Sequence, residues 1–162
     1  MKTLVGVMGP GDQATAADVE NAYQLGILVA QQGWVLLTGG RNVGVMDAAS
    51  RGAKAAGGVT VGILPTSAPE IVSEAVDITI VTDMGNARNN INVLSCQLMI
   101  ACGMGAGTAS EVALAIKNHK PVILLSEHQE SQRFFTGLAK KSVFLANCPH
   151  EAIALAIRLV AN

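Results

Sequence analysis

The feature that most constrains the fold of this chain is the alternation of short, continuously apolar runs with longer stretches of helical periodicity. The first run, at 3–8, ends in a Gly-Pro-Gly turn. Thr15 and Asp18 then predict a capping box at the start of a helix that ends at Gly33. Apolar runs without polar alternation are typical of strands buried on both faces. The sequence therefore predicts an α/β fold, a doubly wound, Rossmann-like parallel sheet with helices on both faces.

The same alternation continues along the chain. Apolar runs predict seven strands, at 3–8, 34–37, 59–64, 78–81, 98–101, 121–125 and 143–145. Helical periodicity predicts a first helix after Thr15 and five more at 45–56, 89–96, 107–118, 129–139 and 150–160. Residues 66–77 show neither pattern and predict an irregular excursion. No linker or repeat interrupts the pattern, so residues 1–162 are expected to form a single Rossmann-like ligand-binding domain.

Composition narrows the partners that such a domain can have. Half of the residues are hydrophobic and only 14% are charged, against about a quarter in an average soluble domain. Burying part of the surface against further copies of the chain would compensate, so we expect a homo-oligomer. The net charge is −1 and the basic residues are scattered, which argues against a nucleic-acid partner.

The chain shows no leader or membrane-spanning pattern. Its first strand is predicted to begin at Thr3, and no apolar run reaches the length of a membrane span. The three cysteines lack the spacing of zinc ligands, and we interpret them as reduced thiols. Cys96 and Cys102 flank a predicted buried strand and are expected in the core. These observations predict a cytoplasmic protein without a membrane partner.

Three glycine-rich turns follow predicted strands one, two and five, whose carboxyl ends share one edge of a parallel sheet. Glycine lets the backbone approach a ligand closely. The helix that follows such a turn offers unpaired N–H groups and a positive dipole end, which attract phosphate. The candidate binding residues are Gly9 and Gly11 in the first turn, Thr38, Gly39, Gly40, Arg41 and Gly44 in the second, and Gly103, Met104, Gly105, Gly107 and Thr108 in the third.

Two further charged residues are expected to face the same edge. Arg88 stands just before the helix that follows strand four, and Glu111 lies one turn into the helix after the third glycine turn. Ordinary roles at helix starts remain the alternative for both. For Arg41, an exposed surface position is as good an interpretation as a phosphate contact. Thr108 can cap its helix or donate to an oxyanion.

The turns do not match the common nucleotide-binding fingerprints. None is a G-x-G-x-x-G fingerprint, no acidic residue ends strand two to hold a ribose, and the chain contains no GKS or GKT. The first two absences argue against classical NAD binding, and the third excludes a P-loop. The sequence also offers no catalytic triad and no cluster with metal-ligand spacing.

One of these motifs carries a family resemblance. Gly107-Thr108-x-x-Glu111, with Arg88 upstream, resembles the signature of the superfamily once called lysine decarboxylases, whose best known members are cytokinin-activating phosphoribohydrolases. In those enzymes a Pro-Gly-Gly-x-Gly-Thr-x-x-Glu loop grips the phosphate, and an Arg and a Glu assist cleavage of the N-glycosidic bond. The resemblance implies, as one hypothesis, a nucleoside 5′-monophosphate phosphoribohydrolase with Arg88 and Glu111 as catalytic residues.

The chain departs from that signature. Gly103-Met104 replaces the opening Pro-Gly, and Asn89 replaces the Lys that follows the Arg. The sequence more closely resembles the molybdenum-cofactor carrier proteins, a non-catalytic branch of the superfamily, in the segments 6–11, 33–41, 44–46, 87–92 and 103–108.

The closer resemblance implies a carrier function. It implies a homotetramer that binds and stores the molybdenum cofactor (Mo-molybdopterin) and protects it from oxidation, with cofactor-accepting molybdoenzymes as further partners. The cofactor's phosphate suits the third glycine turn, and Asn89 and Asn90 are candidate partners for its pterin. A third and weaker hypothesis is a DNA-processing-type module of the same fold group, which the absence of a basic surface disfavours.

Overall fold

The computed structural model of the chain describes residues 2–161 and confirms the predicted α/β fold. Its strands are β1 (Leu4–Met8), β2 (Val35–Thr38), β3 (Val59–Leu64), β4 (Ile78–Val81), β5 (Leu98–Cys102), β6 (Val122–Leu125) and β7 (Val143–Leu145). Its helices are α1 (Ala16–Gln31), α2 (Gly44–Ala55), α3 (Arg88–Ser95), α4 (Ala106–Lys117), α5 (Gln129–Leu138) and α6 (Pro149–Val160). Two short 3-10 turns lie at Pro69–Ile71 and Gly85–Ala87.

The seven strands form one parallel sheet in the order β4-β3-β2-β1-β5-β6-β7. From β1 the chain moves strand by strand to the β4 edge, then returns to place β5 on the other side of β1. The order therefore reverses between β1 and β5, where Val5 pairs with Leu98. In an open α/β sheet such a reversal leaves a crevice beyond the carboxyl ends of the two strands.

Helices cover both faces of the sheet, which explains why the strands are continuously apolar. Along β5, Leu98 and Ile100 belong to the core formed with α1, α2 and α6. Met99 and Ala101 belong to the core on the opposite face, formed with α3, α4 and α5. Every second side chain of a strand points to the same face, so neither set can be polar.

α1 and α2 pack with their backbones nearly in contact, because each has a glycine at the crossing. A Cβ added to Gly26 would collide with the carbonyl oxygen of Ala49, and one added to Gly52 with that of Tyr23. This packing holds α1, which follows β1, against α2, which follows β2. It thereby positions the two loops that enter these helices at the crevice.

The predicted local signals are confirmed where the structure reports on them. Thr15 and Asp18 form the reciprocal capping box at the start of α1. Cys96 and Cys102 are buried, and burial raises the pKa values of their thiols to about 11 and about 12. No helix within residues 2–161 is long and apolar enough to cross a membrane.

Candidate functional site

A cavity of about 350 Å³ lies in the crevice between the ends of β1 and β5 and extends under the loop after β2. It is built from the loops that the three glycine-rich turns form, together with the first turns of α3 and α4. Ten of the predicted site residues line it: Gly9, Gly11, Gly39, Arg41, Arg88, Asn89, Gly105, Gly107, Thr108 and Glu111. The topology thus brings residues from four separate segments of the chain to one place.

The start of α4 forms one wall of the cavity and presents unbonded backbone donors. The first hydrogen bond of the helix runs from the Ala109 amide to the Gly105 carbonyl, at 2.8 Å, so the amides of residues 106–108 have no intrahelical acceptor. The N-cap is Gly105, which has no side chain to accept from them. These amides and the positive end of the helix dipole together suit an anion.

Thr108 does not cap α4, contrary to one of the two roles predicted for it. Its hydroxyl oxygen is buried and has no hydrogen-bond partner, while the residue lines the cavity. A buried hydroxyl without a partner costs free energy, about 1–3 kcal/mol, unless a ligand or water supplies the missing bond. The geometry therefore leaves the oxyanion contact as the role that this side chain can fill.

Arg88 brings a buried positive charge to the same cavity. The residue is only 9% exposed, its Nε has no hydrogen-bond partner, and none of the carboxylates in residues 2–161 lies within ion-pair distance of it. Burial lowers its pKa; the nearby Glu111 opposes that shift, whereas Arg41 adds to it. A guanidinium remains charged even so. A buried cation without an ionic partner is the complement of an anionic ligand.

Gly39 is required where the loop after β2 passes the guanidinium of Arg88. A Cβ at this position would collide with Nη1 of Arg88 and lie 2.6 Å from Sδ of Met46. The glycine therefore gives Arg88 its place at the cavity. Arg41 lies nearer the rim, where it is half-buried and 3.8 Å from the carboxylate of Asp12, an exposed residue.

Glu111 is buried beside these donors, and it is 6% exposed. Asn92, which is fully buried on α3, donates from Nδ2 to Oε1 of Glu111 at 2.8 Å. Burial raises the pKa of Glu111 to about 7, against the lowering effects of the Asn92 hydrogen bond and the Arg88 charge. The carboxyl group thus changes its charge near neutral pH, a property that clusters at functional sites.

Residues 71–73, which lie in the segment predicted to be irregular, fix the loop after β2. The amide of Asn42 donates to the carbonyl of Ile71 at 2.7 Å, and the amide of Ser73 donates to that of Gly40 at 3.0 Å. Arg41 also forms an isolated antiparallel bridge with Val72. These contacts join residues about 30 positions apart, so no local pattern indicated them.

Three predicted site residues lie in the loop after β2 or at its two ends, and they do not line the cavity. Thr38 is fully buried, and its hydroxyl oxygen accepts from the amide of Gly40 at 3.0 Å. Gly40 has φ +72°, and a Cβ there would lie 2.8 Å from Leu64. Gly44 has φ +55°, and a Cβ there would collide with the loop after β1. The two glycines allow a positive φ and close packing at these positions.

Gly103 and Met104 lie on the far side of the third turn and line a second, larger cavity of about 850 Å³. Gly103 has φ +75°, and a Cβ there would lie 2.6 Å from the carboxylate of Asp18. Several polar groups around this cavity are already engaged, such as Asp18 in its capping box and Asn147 with Glu151 at 3.0 Å. The smaller cavity, with its unsatisfied buried donors, is the better candidate site.

Several residues at the site were not predicted from the sequence. Asn92 is the most informative, since it holds Glu111 and has an Oδ1 without a hydrogen-bond partner. Its position one turn after Arg88 on the same helix was a usable signal. Asn90 is exposed, whereas Asn86 lines the cavity beside Asn89. The other lining residues not predicted as ligand contacts are Met8, Pro10, Asp12, Gln13, Met46 and Ala106.

Solved structures similar to this one confirm the resemblance to molybdenum-cofactor carrier proteins. The molybdenum cofactor binding protein from Rippkaea orientalis is 59% identical, with a TM-score of 0.97 over 99% of this chain and 98% of that one. The Moco carrier protein from Chlamydomonas reinhardtii is 49% identical, with a TM-score of 0.93 over 99% of each chain.

The sequence relatives of the chain include a member of the phosphoribohydrolase superfamily. An uncharacterized protein of Archaeoglobus fulgidus is 44% identical over 75% of this chain and 78% of its own length. The cytokinin riboside 5′-monophosphate phosphoribohydrolase of Mycobacterium tuberculosis is 34% identical, over 58% of this chain and only 51% of the enzyme. The family model of SLOG cluster4 matches residues 2–153. This match spans all four segments that build the cavity, and the chain therefore belongs to the SLOG cluster4 family.

Proposed function

We propose that this chain binds the molybdenum cofactor in the cavity between β1 and β5 and stores and carries it, as one ligand-binding domain and without catalysing a reaction. The observation that carries the proposal is the match, over nearly the whole chain, to a molybdenum cofactor binding protein at 59% identity. The donor set fits such a cargo. A terminal phosphate is bound by backbone amides and a cation. At this cavity the amides at 106–108 have no intrahelical acceptor, and Nε of Arg88 has no hydrogen-bond partner.

The residues divide the recognition between them. The backbone amides at 106–108 and the hydroxyl of Thr108 hold the phosphate, and Arg88 neutralises its charge. The side-chain amides of Asn86 and Asn89 lie at the wall of the cavity and offer hydrogen bonds to the edge of a pterin. Asn89 already donates to Ser110 at 2.8 Å, which keeps its oxygen available as an acceptor.

The alternative function is phosphoribohydrolase activity with Arg88 and Glu111. A buried carboxyl group with a pKa of about 7 favours it, since an acid or base poised near neutrality suits proton transfer. Asn89 and Gly103-Met104, which stand where the hydrolase signature has Lys and Pro-Gly, argue against it. Only about half of the mycobacterial hydrolase is matched by this chain.

One experiment separates the two functions. We expect freshly isolated protein to carry molybdenum and to release a pterin that fluoresces after oxidation, while ribose 5-phosphate release from nucleoside monophosphates stays at background. Robust release of free base that disappears in Glu111→Gln would establish the hydrolase instead. Absence of both pterin and turnover, in protein that can also not be loaded with the cofactor, would refute the carrier.

We also propose that the chain assembles as a tetramer in the cytoplasm and passes its cargo to cofactor-accepting molybdoenzymes. The edge strand β4 supports assembly, since Ile78 and Val81 are 50% and 54% exposed on its two faces, and Leu94 of α3 is 50% exposed. Light scattering at micromolar concentration is expected to give a particle of about four times the 16.7 kDa chain mass. A stable particle of the single-chain mass would refute the assembly.

A further inference from the structure

The cavity that suits an anion is also lined by a carboxyl group, that of Glu111. Glu111 lies one turn after Thr108 on α4, and the two line the cavity together with Arg88. An oxyanion held by the amides at 106–108 therefore approaches the side chain of Glu111. If the carboxyl group were ionised, it would repel the oxyanion and would also offset the positive charge of Arg88.

We propose that Glu111 makes oxyanion binding in this cavity proton-dependent: the oxyanion enters together with one proton, which it shares with the carboxyl group of Glu111. The inference rests on the proposed function for the identity of the cargo, a phosphate monoester. Such a phosphate is a dianion above about pH 6 and brings no proton of its own. The proton must then be taken from solvent onto Glu111 on binding and returned to solvent on release.

The hydrogen bonds around Glu111 support a neutral carboxyl group. Asn92 donates to Oε1 only, and no arginine or lysine in residues 2–161 lies within ion-pair distance of either oxygen. An ionised carboxylate at 6% exposure normally needs more partners than one amide. As a neutral acid, Glu111 accepts from Asn92 and donates its own proton into the cavity, toward the place where the oxyanion sits.

The other charged and titratable groups near Glu111 do not compete for this role. From α3 comes Arg88, which stays cationic. Directly after α3 lies Cys96, whose thiol has a pKa raised by burial to about 11. From the loops after β2 and β1 come Arg41 and Asp12, which pair with each other at 3.8 Å near the rim. Asp12 is 77% exposed, so water screens its charge. No histidine is among the described residues that line the cavity.

Sulfate and inorganic phosphate test the proposal directly. Sulfate is a dianion without a proton across neutral pH, whereas monohydrogen phosphate keeps a proton that it can donate to an ionised Glu111. Titration calorimetry from about pH 6 to about pH 9 is expected to show sulfate affinity falling about tenfold for each pH unit above about 7, because one proton is bound with the anion. Phosphate affinity is expected to fall much less over that range.

Variants test whether Glu111 is the group that binds the proton taken up with the anion. In Glu111→Gln, sulfate affinity is expected to be independent of pH, while the control Glu20→Gln, an exposed carboxyl on α1, keeps the wild-type profile. Asn92→Leu removes the hydrogen bond that lowers the pKa of Glu111. The pH above which sulfate affinity begins to fall should therefore be higher in this variant than in the wild-type protein. This variant keeps the proposal testable if Glu111→Gln fails to fold.

The outcomes separate this inference from the carrier proposal. Sulfate affinity that is independent of pH in wild-type protein, or a pH profile that persists in Glu111→Gln, would overturn the shared proton. The molybdenum cofactor would then still be able to bind with an affinity insensitive to pH, so the carrier function would stand. Failure to bind sulfate, phosphate and the cofactor at every pH would overturn both.

Discussion

At about pH 8 and without ligand, Glu111→Gln is expected to be more stable than the wild-type protein by about 3 kcal/mol. Burial holds the pKa of Glu111 at about 7 in the folded chain, against 4.5 for an ordinary glutamate. The folded state therefore binds more protons than the unfolded state between these two values. The difference between them corresponds to about 3 kcal/mol of unfolding free energy.

The sign of the pH dependence follows from the raised pKa. The contribution of Glu111 to stability is fully present below pH 4.5, is lost progressively as the pH rises through 7, and stays lost above it. Glutamine mimics the neutral acid and accepts the same hydrogen bond from Asn92. Urea unfolding of both proteins at about pH 4.5 and about pH 8 should therefore show nearly equal stabilities at the lower pH only.

The matched control for this measurement is Glu20→Gln, which neutralises an exposed carboxyl group on α1. It is expected to change the unfolding free energy by no more than about 0.5 kcal/mol at either pH. Equal stabilities of wild type and Glu111→Gln at pH 8 would mean that Glu111 is ionised and well paired, contrary to the structure. A carboxyl group that lowers the stability of its own fold is typical of a site kept for binding or catalysis.

Gly107→Asp is expected to reduce affinity for the molybdenum cofactor by at least a hundredfold, about 3 kcal/mol. Gly107 is in the first turn of α4 and lines the cavity, so a carboxylate there would repel the phosphate and occupy its place. Close like charges and lost charge-assisted hydrogen bonds account for an effect of this size. The fold should survive, because a Cβ at this position meets no atom within 4 Å.

Two further variants, measured in a binding assay with purified cofactor, distinguish charge repulsion from steric blockage and control for the position of the change. Gly107→Asn has nearly the same shape without the charge, so the difference between the two variants measures the repulsion. Gly137→Asp places the same change in α5, at another position where a Cβ meets no atom within 4 Å, and should bind like wild type. Circular-dichroism melts accompany each measurement. A Gly107→Asp protein that melts normally and binds within a few-fold of wild type would place the phosphate elsewhere.

Local sequence determined the elements of this protein and the edge of the sheet at which the site lies. Continuous apolar runs are possible only where a strand is covered on both faces, so a parallel sheet with helices on both sides followed directly. Capping residues and glycines then set the helix starts, as the Thr15 and Asp18 pair illustrates. Arg88 and Glu111 could be placed near the strand ends because each stands at a fixed distance from a strand.

What the tertiary structure decided is which of these residues share the cavity and in what state. A glycine turn looks the same in sequence whether its missing Cβ makes room for a side chain of the site, as at Gly39, or for the neighbouring strand, as at Gly40. The loop after β2 is held by residues 71–73, about 30 positions away, and Asn92 meets Glu111 only because α3 and α4 pack side by side. Burial and long-range contacts set the pKa of Glu111 and leave Arg88 without an ionic partner, and neither property is encoded in the spacing of neighbouring residues.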